Sequence, residues 1–371
     1  MAEKGKSLGK LAKAKFKKDK AAVFGLVVIF IAITMTILGP LITPDSSPNA
    51  NRQVIELAAK KPRSTFTFLK IPRTEAEKVG LVTRMVSGKP EAYSWVPIYS
   101  HSFSSDSLVI EKFTGDTPNH GEIVAYPRSK FGDMSMSQIE EQLIESKTFY
   151  LGTDRFGRDL LSRMILGTRI SLSIGFVAVG ISLIIGILLG SLAGFFRGWV
   201  DDVVMWFVTV VWSIPLLLLV IAITLAMGKG FWQVFIAVGL AMWVEVARIV
   251  RGQILGIREK EYVEACRALG FSGFRTIFRH ILPNILGPVI VISAANFAAA
   301  ILIEAGLSFL GIGAQPPIPS WGAMIKDHYG YIIMDKAYLA LIPGVAILIM
   351  VLAFTLVGNG IRDSIDVKET T

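Results

Sequence analysis

Few side chains in this 371-residue sequence stand at spacings that bond-breaking chemistry requires. Asp116, His120 and Asp133 come nearest to a metal-ligand set, but their spacing fits no site, so they read as scattered surface residues and no metal is expected. The chain has no G-x-x-x-x-G-K-[ST] loop to cradle phosphates, no H-E-x-x-H pair to hold a hydrolytic zinc, and no Ser/His constellation. What remains is charge gathered in two blocks. Residues 152–163 read GTDRFGRDLLSR, in which Asp154, Arg155, Arg158, Asp159 and Arg163 can satisfy one another around a turn. Residues 261–284 read EYVEACRALGFSGFRTIFRHILPN, a polar island between two long apolar runs. The chemistry open to such blocks is binding and the transmission of movement.

The second block reads as short helices. With 260–269 helical, Tyr262, Ala265, Cys266 and Leu269 share one face, and Lys260, Glu264 and Arg267 take the other. Gly270 ends the helix through positive φ, Ser272 and Gly273 make a turn, and 274–281 forms a second amphipathic piece. Pro283 suits the first turn of the helix that follows. Such a knob, with a small-residue stripe, fits another protein's groove.

The elements that must hold these blocks are apolar. The chain is 52% hydrophobic, its apolar residues fall in runs of about 20, and a run of that length crosses a bilayer as a helix. The formal charge of +9 is concentrated beside such runs. Residues 1–20 carry eight lysines, and 248–280 carry seven Lys/Arg against three glutamates. Basic segments beside spans lie in the cytoplasm, so the charge reports orientation, with anionic lipid as a secondary partner and no nucleic acid. The lone Cys266 excludes a disulfide framework within the chain.

Six spans follow, at about 21–42, 170–195, 203–227, 231–250, 285–303 and 338–357, with both termini inside. Gly186, Gly190 and Gly194 lay a bare ridge along the second span for another helix, in this chain or in another. Pro215 kinks the third span near its middle, either beside a pathway or as a packing bend. Glu245 and Arg248, three apart near the inner end of the fourth, read as a structural ion pair. Glu304 lies at the outer end of the fifth, followed by irregular backbone through Gln315, Pro316 and Trp321, placed at an outer mouth as pathway or gate candidates. Residues 44–148, with 13 Lys/Arg and 13 Asp/Glu, form a small α+β lobe outside the membrane. Its strands are expected at 64–69, 80–86, 93–98 and 107–113, the last in a hairpin with 122–126, and a capped helix at 135–147.

Three blocks carry a family resemblance. Glu264, Ala265, Gly270, Leu282 and Pro283 resemble the EAA signature of the membrane subunits of ATP-binding cassette importers, with Cys266 where a second alanine is usual and His280 where an aliphatic residue is. The run at 152–163 and the segment LSFLGIGAQPPIPSWG at 307–322 are similar to the dipeptide/oligopeptide (nickel) permease branch, second or C-type subunit. The resemblance covers 150–367 and leaves 45–148 uncovered. It implies a permease subunit that imports peptides, or nickel or another small solute, by alternating access. It also implies a second permease subunit, two cytoplasmic ATPases that hold the ATP and magnesium, and an extracytoplasmic peptide-binding protein. This chain then binds no cofactor of its own and sits in a bacterial inner membrane. Its ATPase-coupling residues are Glu261, Glu264, Ala265, Cys266, Leu269, Gly270, Arg275, His280 and Pro283, and Asp154, Arg158, Asp159 and Arg163 make the outer charged block. The implied organisation is a basic N-terminus at 1–20, a first span at 21–43, the lobe at 44–148, a transmembrane domain at 149–367 with its coupling loop at 258–283, and a tail at 368–371. A channel or secondary transporter, with intramembrane charges or broken helices, is the rival class.

Overall fold

The computed structural model describes residues 8–365 apart from 74–79, 105, 116 and 229. Asp116, the start of the basic N-terminus and the 368–371 tail therefore lie outside the described residues. The chain divides into two compact units, one of Met1–Ile33, Ile170–Gln315 and Gly344–Thr371, the other of Thr34–Arg169 and Pro316–Pro343.

In chain order the helices are α1 (Leu8–Lys18), α2 (Lys20–Ile42), α3 (Leu81–Ser87), α4 (Met136–Leu143), α5 (Leu160–Phe196), α6 (Trp199–Trp212) and α7 (Leu216–Met227). They continue as α8 (Phe231–Ile257), α9 (Glu261–Ala268), α10 (Gly273–Thr276), α11 (Leu282–Phe309), α12 (Trp321–His328) and α13 (Tyr338–Ile365). Among the described residues, five stretches are long and apolar enough to cross a membrane, and α6 with α7 makes a sixth if that bent pair counts as one span. The fold is thus a mostly helical polytopic one of five to six apolar helices.

Three spans depart from expectation. Pro215 does not kink one helix; it separates two, bent by 91°. Without an N–H, and with its ring crowding Ile214, proline ends α6 and serves as N-cap of α7, where Leu219 N–H finds the Pro215 carbonyl at 3.1 Å. Helix α5 starts ten residues early, at Leu160, and its 37 residues span about 55 Å, so its first turns stand clear of the hydrocarbon. Helix α8 continues to Ile257, which moves Glu245 to its middle.

The glycine ridge of α5 packs inside the chain. A Cβ on Gly186 would meet Val246 Cβ at 2.5 Å, and one on Gly190 would meet the Ala247 carbonyl oxygen at 2.5 Å. Bare backbone lets α5 and α8 close on each other, which is how helices associate where lipid offers no hydrophobic drive. Val246, Val250, Ile254, Val263, Ile277 and Ile285 continue this core toward the second charged block.

The second unit holds a five-stranded antiparallel sheet, in the order β4 (Ile123–Pro127), β3 (Ser107–Lys112), β2 (Tyr93–Ser104), β1 (Ser64–Pro72), β5 (Ile144–Phe149). Leu69, Ile71, Leu108 and Ile110 alternate onto a face covered by Phe131, Ile139 and Leu143. The 107–113/122–126 hairpin stands as expected, with Glu111 opposite Ile123. The strand expected at 80–86 is helix α3, a short apolar run whose period does not separate the two states. The helix expected at 135–147 keeps its capping box, Ser135 with Gln138, but ends at Leu143. Ile144–Phe149 pairs instead with β1, because Thr65 and Thr67 meet Thr148 and Ser146 across the ladder at 2.8 and 3.0 Å.

Candidate functional site

The knob is built on helix ends. Lys260 leads into α9 with extended backbone, and Glu261 and Glu264 sit in the first turn with Arg267 in the last, the arrangement that suits a helix dipole. Gly270 takes φ +73°, and the α9 carbonyls are closed by Gly270 N–H to Arg267 at 2.9 Å and Phe271 N–H to Cys266 at 3.0 Å. This double closure needs a left-handed residue at 270. Ser272 then caps α10, its hydroxyl accepting from Arg275 N–H. Five residues of π turn, Ile277–Ile281, lead into α11, with Pro283 in its first turn.

Which face turns inward differs from the expected stripe. Val263 and Cys266 are buried in the core beneath α9, while Tyr262, Ala265 and Leu269 face out. Cys266 therefore packs within its own chain, a correction to its assignment as a groove contact: the burial period follows Val263, which the small-residue reading passed over. Outside stand Leu269 at 72%, Phe274 at 56% and Phe278 at 51% exposure, an apolar cap on a charged loop. The knob is tied down by polar contacts. Asn284 donates to the Tyr262 hydroxyl at 3.3 Å and the His280 carbonyl at 2.7 Å, and Arg258 donates to the Phe195 carbonyl at 2.7 Å, closing the end of α5. Burial, then Arg197 and Arg267, hold the Arg258 guanidinium below its usual range. Arg275 lies over Phe271 at 4.2 Å, and the His280 ring stacks on Phe271 with the ring centroids 5.6 Å apart. Glu261 and Glu264 are exposed.

The first charged block lies in the other unit and is a buried latch. Asp154 accepts from Phe156 N–H at 2.8 Å, Arg158 N–H at 2.9 Å and Arg158 Nε at 2.6 Å, with Arg163 Nε at 3.7 Å. Arg158 reaches Asn51 at 2.9 Å, and Arg163 reaches the Asn49 and Pro317 carbonyls at 3.4 and 3.5 Å. Asp159 does not join the arginines. It caps α5 by accepting from Ser162 N–H at 3.0 Å and from the Ser162 hydroxyl, whose oxygen in turn accepts from Asp45 N–H. Burial pushes the Asp159 carboxyl up, against the Ser162 hydrogen bonds and Lys147, which pull it down. Arg155 also leaves the block and pairs with Asp327 at 3.0 Å. Sequence reasoning missed Asp45 and His328 because the contacts join segments more than 100 residues apart, Asp45 N–H to Ser162 at 2.9 Å and Arg155 N–H to His328 Nε2 at 3.3 Å. His328 also contacts the Met324 carbonyl through Nδ1 at 2.7 Å, so it is a neutral ring, and burial lowers its pKa.

The pathway candidates separate. Trp321, expected at a gate, is a buried strut: its indole donates to the Met164 carbonyl at 3.0 Å and lies 3.0 Å from where a Gly167 Cβ would be. Pro316, in the same unit, joins Pro317 through a cis bond. Glu304 is buried within α11, which runs on to Phe309, and accepts from Ser308 at 2.6 Å. Gln315 folds back onto the Gly311 and Gly313 carbonyls at 3.2 and 2.9 Å. Pro215 lines a cavity, of about 200 Å³, together with Trp212, Met242 and Glu245. Glu245 and Arg248 do not pair, since the Arg248 guanidinium lies over the Trp212 ring at 3.7 Å.

Comparison with known proteins adds a family to this geometry. Residues 186–369 match the family described as the inner membrane component of binding-protein-dependent transport systems, and residues 7–59 match the N-terminal transmembrane domain of oligopeptide transport permease C. A glutathione transport system permease protein of Pectobacterium atrosepticum is 40% identical over 223 residues, 60% of this chain and 74% of that one. A dipeptide transport system permease protein of Alkalihalophilus pseudofirmus is 40% identical over 60% of this chain and 73% of its own. An oligopeptide transport system permease protein of Bacillus subtilis is 39% identical over the same shares.

Proposed function

This chain belongs to the permease subunits of bacterial ATP-binding cassette peptide importers, multi-pass proteins of the inner membrane, and from that premise we propose that 261–283 is its coupling knob for ATPase subunits. The observation that carries the reading is the exposed apolar cap of Leu269, Phe274 and Phe278 on a rigidly closed loop. An aqueous surface has no use for three such side chains within ten residues, whereas a partner's groove does. Ala265, exposed on the same side as Leu269, lets the partner approach closely.

In this reading the knob and both termini are cytoplasmic, in accord with the basic charge beside α2 and α8, and the sheet unit lies outside. The chain is the C-type subunit; it pairs with a second permease subunit and has no ATP site of its own. Two ATPases bind ATP and magnesium, and an exported peptide-binding protein delivers the solute. Closure of the ATPases on ATP moves the knob, and the spans tilt so that the pathway changes the side it faces. Energy enters through contacts that differ between the two states. Asp154, Arg158 and Arg163 serve here as the latch of the outer unit, with Asp159 capping the helix beside them, and that unit helps to dock the binding protein.

Purification of the tagged chain tests this reading. A second permease and two ATPases are expected in the isolated complex, and proteoliposomes holding it should take up labelled peptide only with ATP on the knob's side. Isolation of the chain without ATPases, or uptake driven by a proton gradient alone, would sink it.

A further inference from the structure

Three polar groups of α8 lie on a face that this chain leaves open, whereas Arg251 is tied to Asp201 of α6. Glu245, Arg248 and Gln253 are exposed, while Ala247, Val250 and Ile254 on the opposite side are buried. Glu245 is the fifteenth residue of the 27 in the helix, counted from Phe231, and so lies near its middle. A carboxylate there would be costly against lipid, so this face meets water or protein in the membrane. Two cavities lie along it. The first, about 200 Å³, holds Glu245 and the α6/α7 break; the second, about 370 Å³, holds Gln253 and Arg362. Gln253 follows Glu245 by eight residues, about 12 Å along the axis.

The first cavity is built for a cation. Its one acidic group, Glu245, has no ion pair or hydrogen bond among the described residues, and Arg248, the nearest base along the helix, is held on Trp212 instead. The C-terminal end of α6 is broken off at Ser213, beside the cavity residues Trp212 and Ile214, and adds the partial negative charge of a helix terminus. The remaining lining, Val211, Leu216, Leu219, Met242 and Ala299, is apolar.

We propose that Glu245 is a substrate contact within the pathway, where it receives the α-ammonium of a passing peptide while the first side chain rests on the apolar lining. This rests on the peptide-import reading. Peptides of varied sequence share only their backbone and their termini, and the one positive charge common to all of them, which a fixed carboxylate can pair with, is at the amino end. The cavity volume admits about one residue, which suits a terminal contact and not a whole peptide.

The test uses the whole importer with its binding protein in proteoliposomes, and compares wild type with Glu245→Gln and Glu245→Asp. A labelled tripeptide with a free amino end is assayed beside its N-acetyl derivative. In detergent, the same complexes are exposed to a tripeptide whose first residue carries a photoreactive group. Glu245→Gln is expected to lower uptake of the free-amino peptide about tenfold or more, with partner subunits still co-purifying, and Glu245→Asp to restore most of it. Photolabelling of the Trp212/Met242 region should fall by a similar factor, and free-amino but not N-acetylated peptide should compete for it. Equal loss for both peptides, unchanged uptake, or labelling that ignores Glu245 would overturn the subsite. A wild-type complex that moves no peptide at all would instead refute the peptide-import reading on which it stands.

Discussion

Truncation of Leu269 should weaken ATPase binding without weakening the fold. The side chain is 72% exposed in this chain, so Leu269→Ala removes little that packs internally. If the ATPase groove buries it, burial of a leucine side chain contributes about 1.5–3 kcal/mol, and the exposed share of that is about 1–2 kcal/mol. At 1.4 kcal/mol for each factor of ten, the dissociation constant rises about five- to thirtyfold. Phe274→Ala, at 56% exposure, should act in the same range, and the double variant should approach the product if the two contacts are independent. The assay is titration of purified ATPase onto nanodisc-held permease complex, with thermal melting recorded alongside. Val263→Ala, buried in the chain's own core, supplies the contrast: it should lower the melting temperature and leave intrinsic ATPase affinity nearly unchanged. Leu269→Ala and Phe274→Ala both binding ATPase with wild-type affinity would refute the placement of the knob.

Three other outcomes follow from the geometry. Gly190→Val should destabilise the membrane unit by several kcal/mol, visible as poor expression or an early thermal transition, because even its Cβ would lie 2.5 Å from the Ala247 carbonyl oxygen. Gly270→Ala should weaken the knob by about 1 kcal/mol, read as faster amide exchange in α9, since alanine resists φ +73°. The pH response of the sheet-bearing unit follows His328, whose folded pKa lies below its ordinary 6.5. The unfolded chain then binds the extra proton, so the His328 contribution is complete above about pH 6.5 and is lost as pH falls from there toward the lowered value. Melting at pH 7.5 and 5.5 should show the drop, and His328→Gln should reduce it.

Much of the membrane half was legible because spans announce themselves by run length, and glycine, proline and charge punctuate them. Gly270, Ser272 and Pro283 stood where capping chemistry put them. What escaped was direction and distance. The small-residue stripe of α9 suggested that Cys266 faces a partner, yet the helix is rotated so that Val263 and Cys266 enter the core. Glu245 and Arg248 had the spacing of a pair, but an indole from α6 competed for the guanidinium. The latch around Asp154 draws on Asn51, Asn49 and Pro317, contacts that no local pattern encodes. In the sheet unit, Ile144–Phe149 became a strand only because β1 offered an open edge.

The most direct measurement is ATP-driven peptide uptake by proteoliposomes carrying the whole importer with Ala265→Arg, a bulky charge on the exposed side of α9. A knob that seats in the ATPase groove requires uptake to be abolished while the chain still inserts and folds. Normal uptake together with normal ATPase association in that variant would contradict the coupling role.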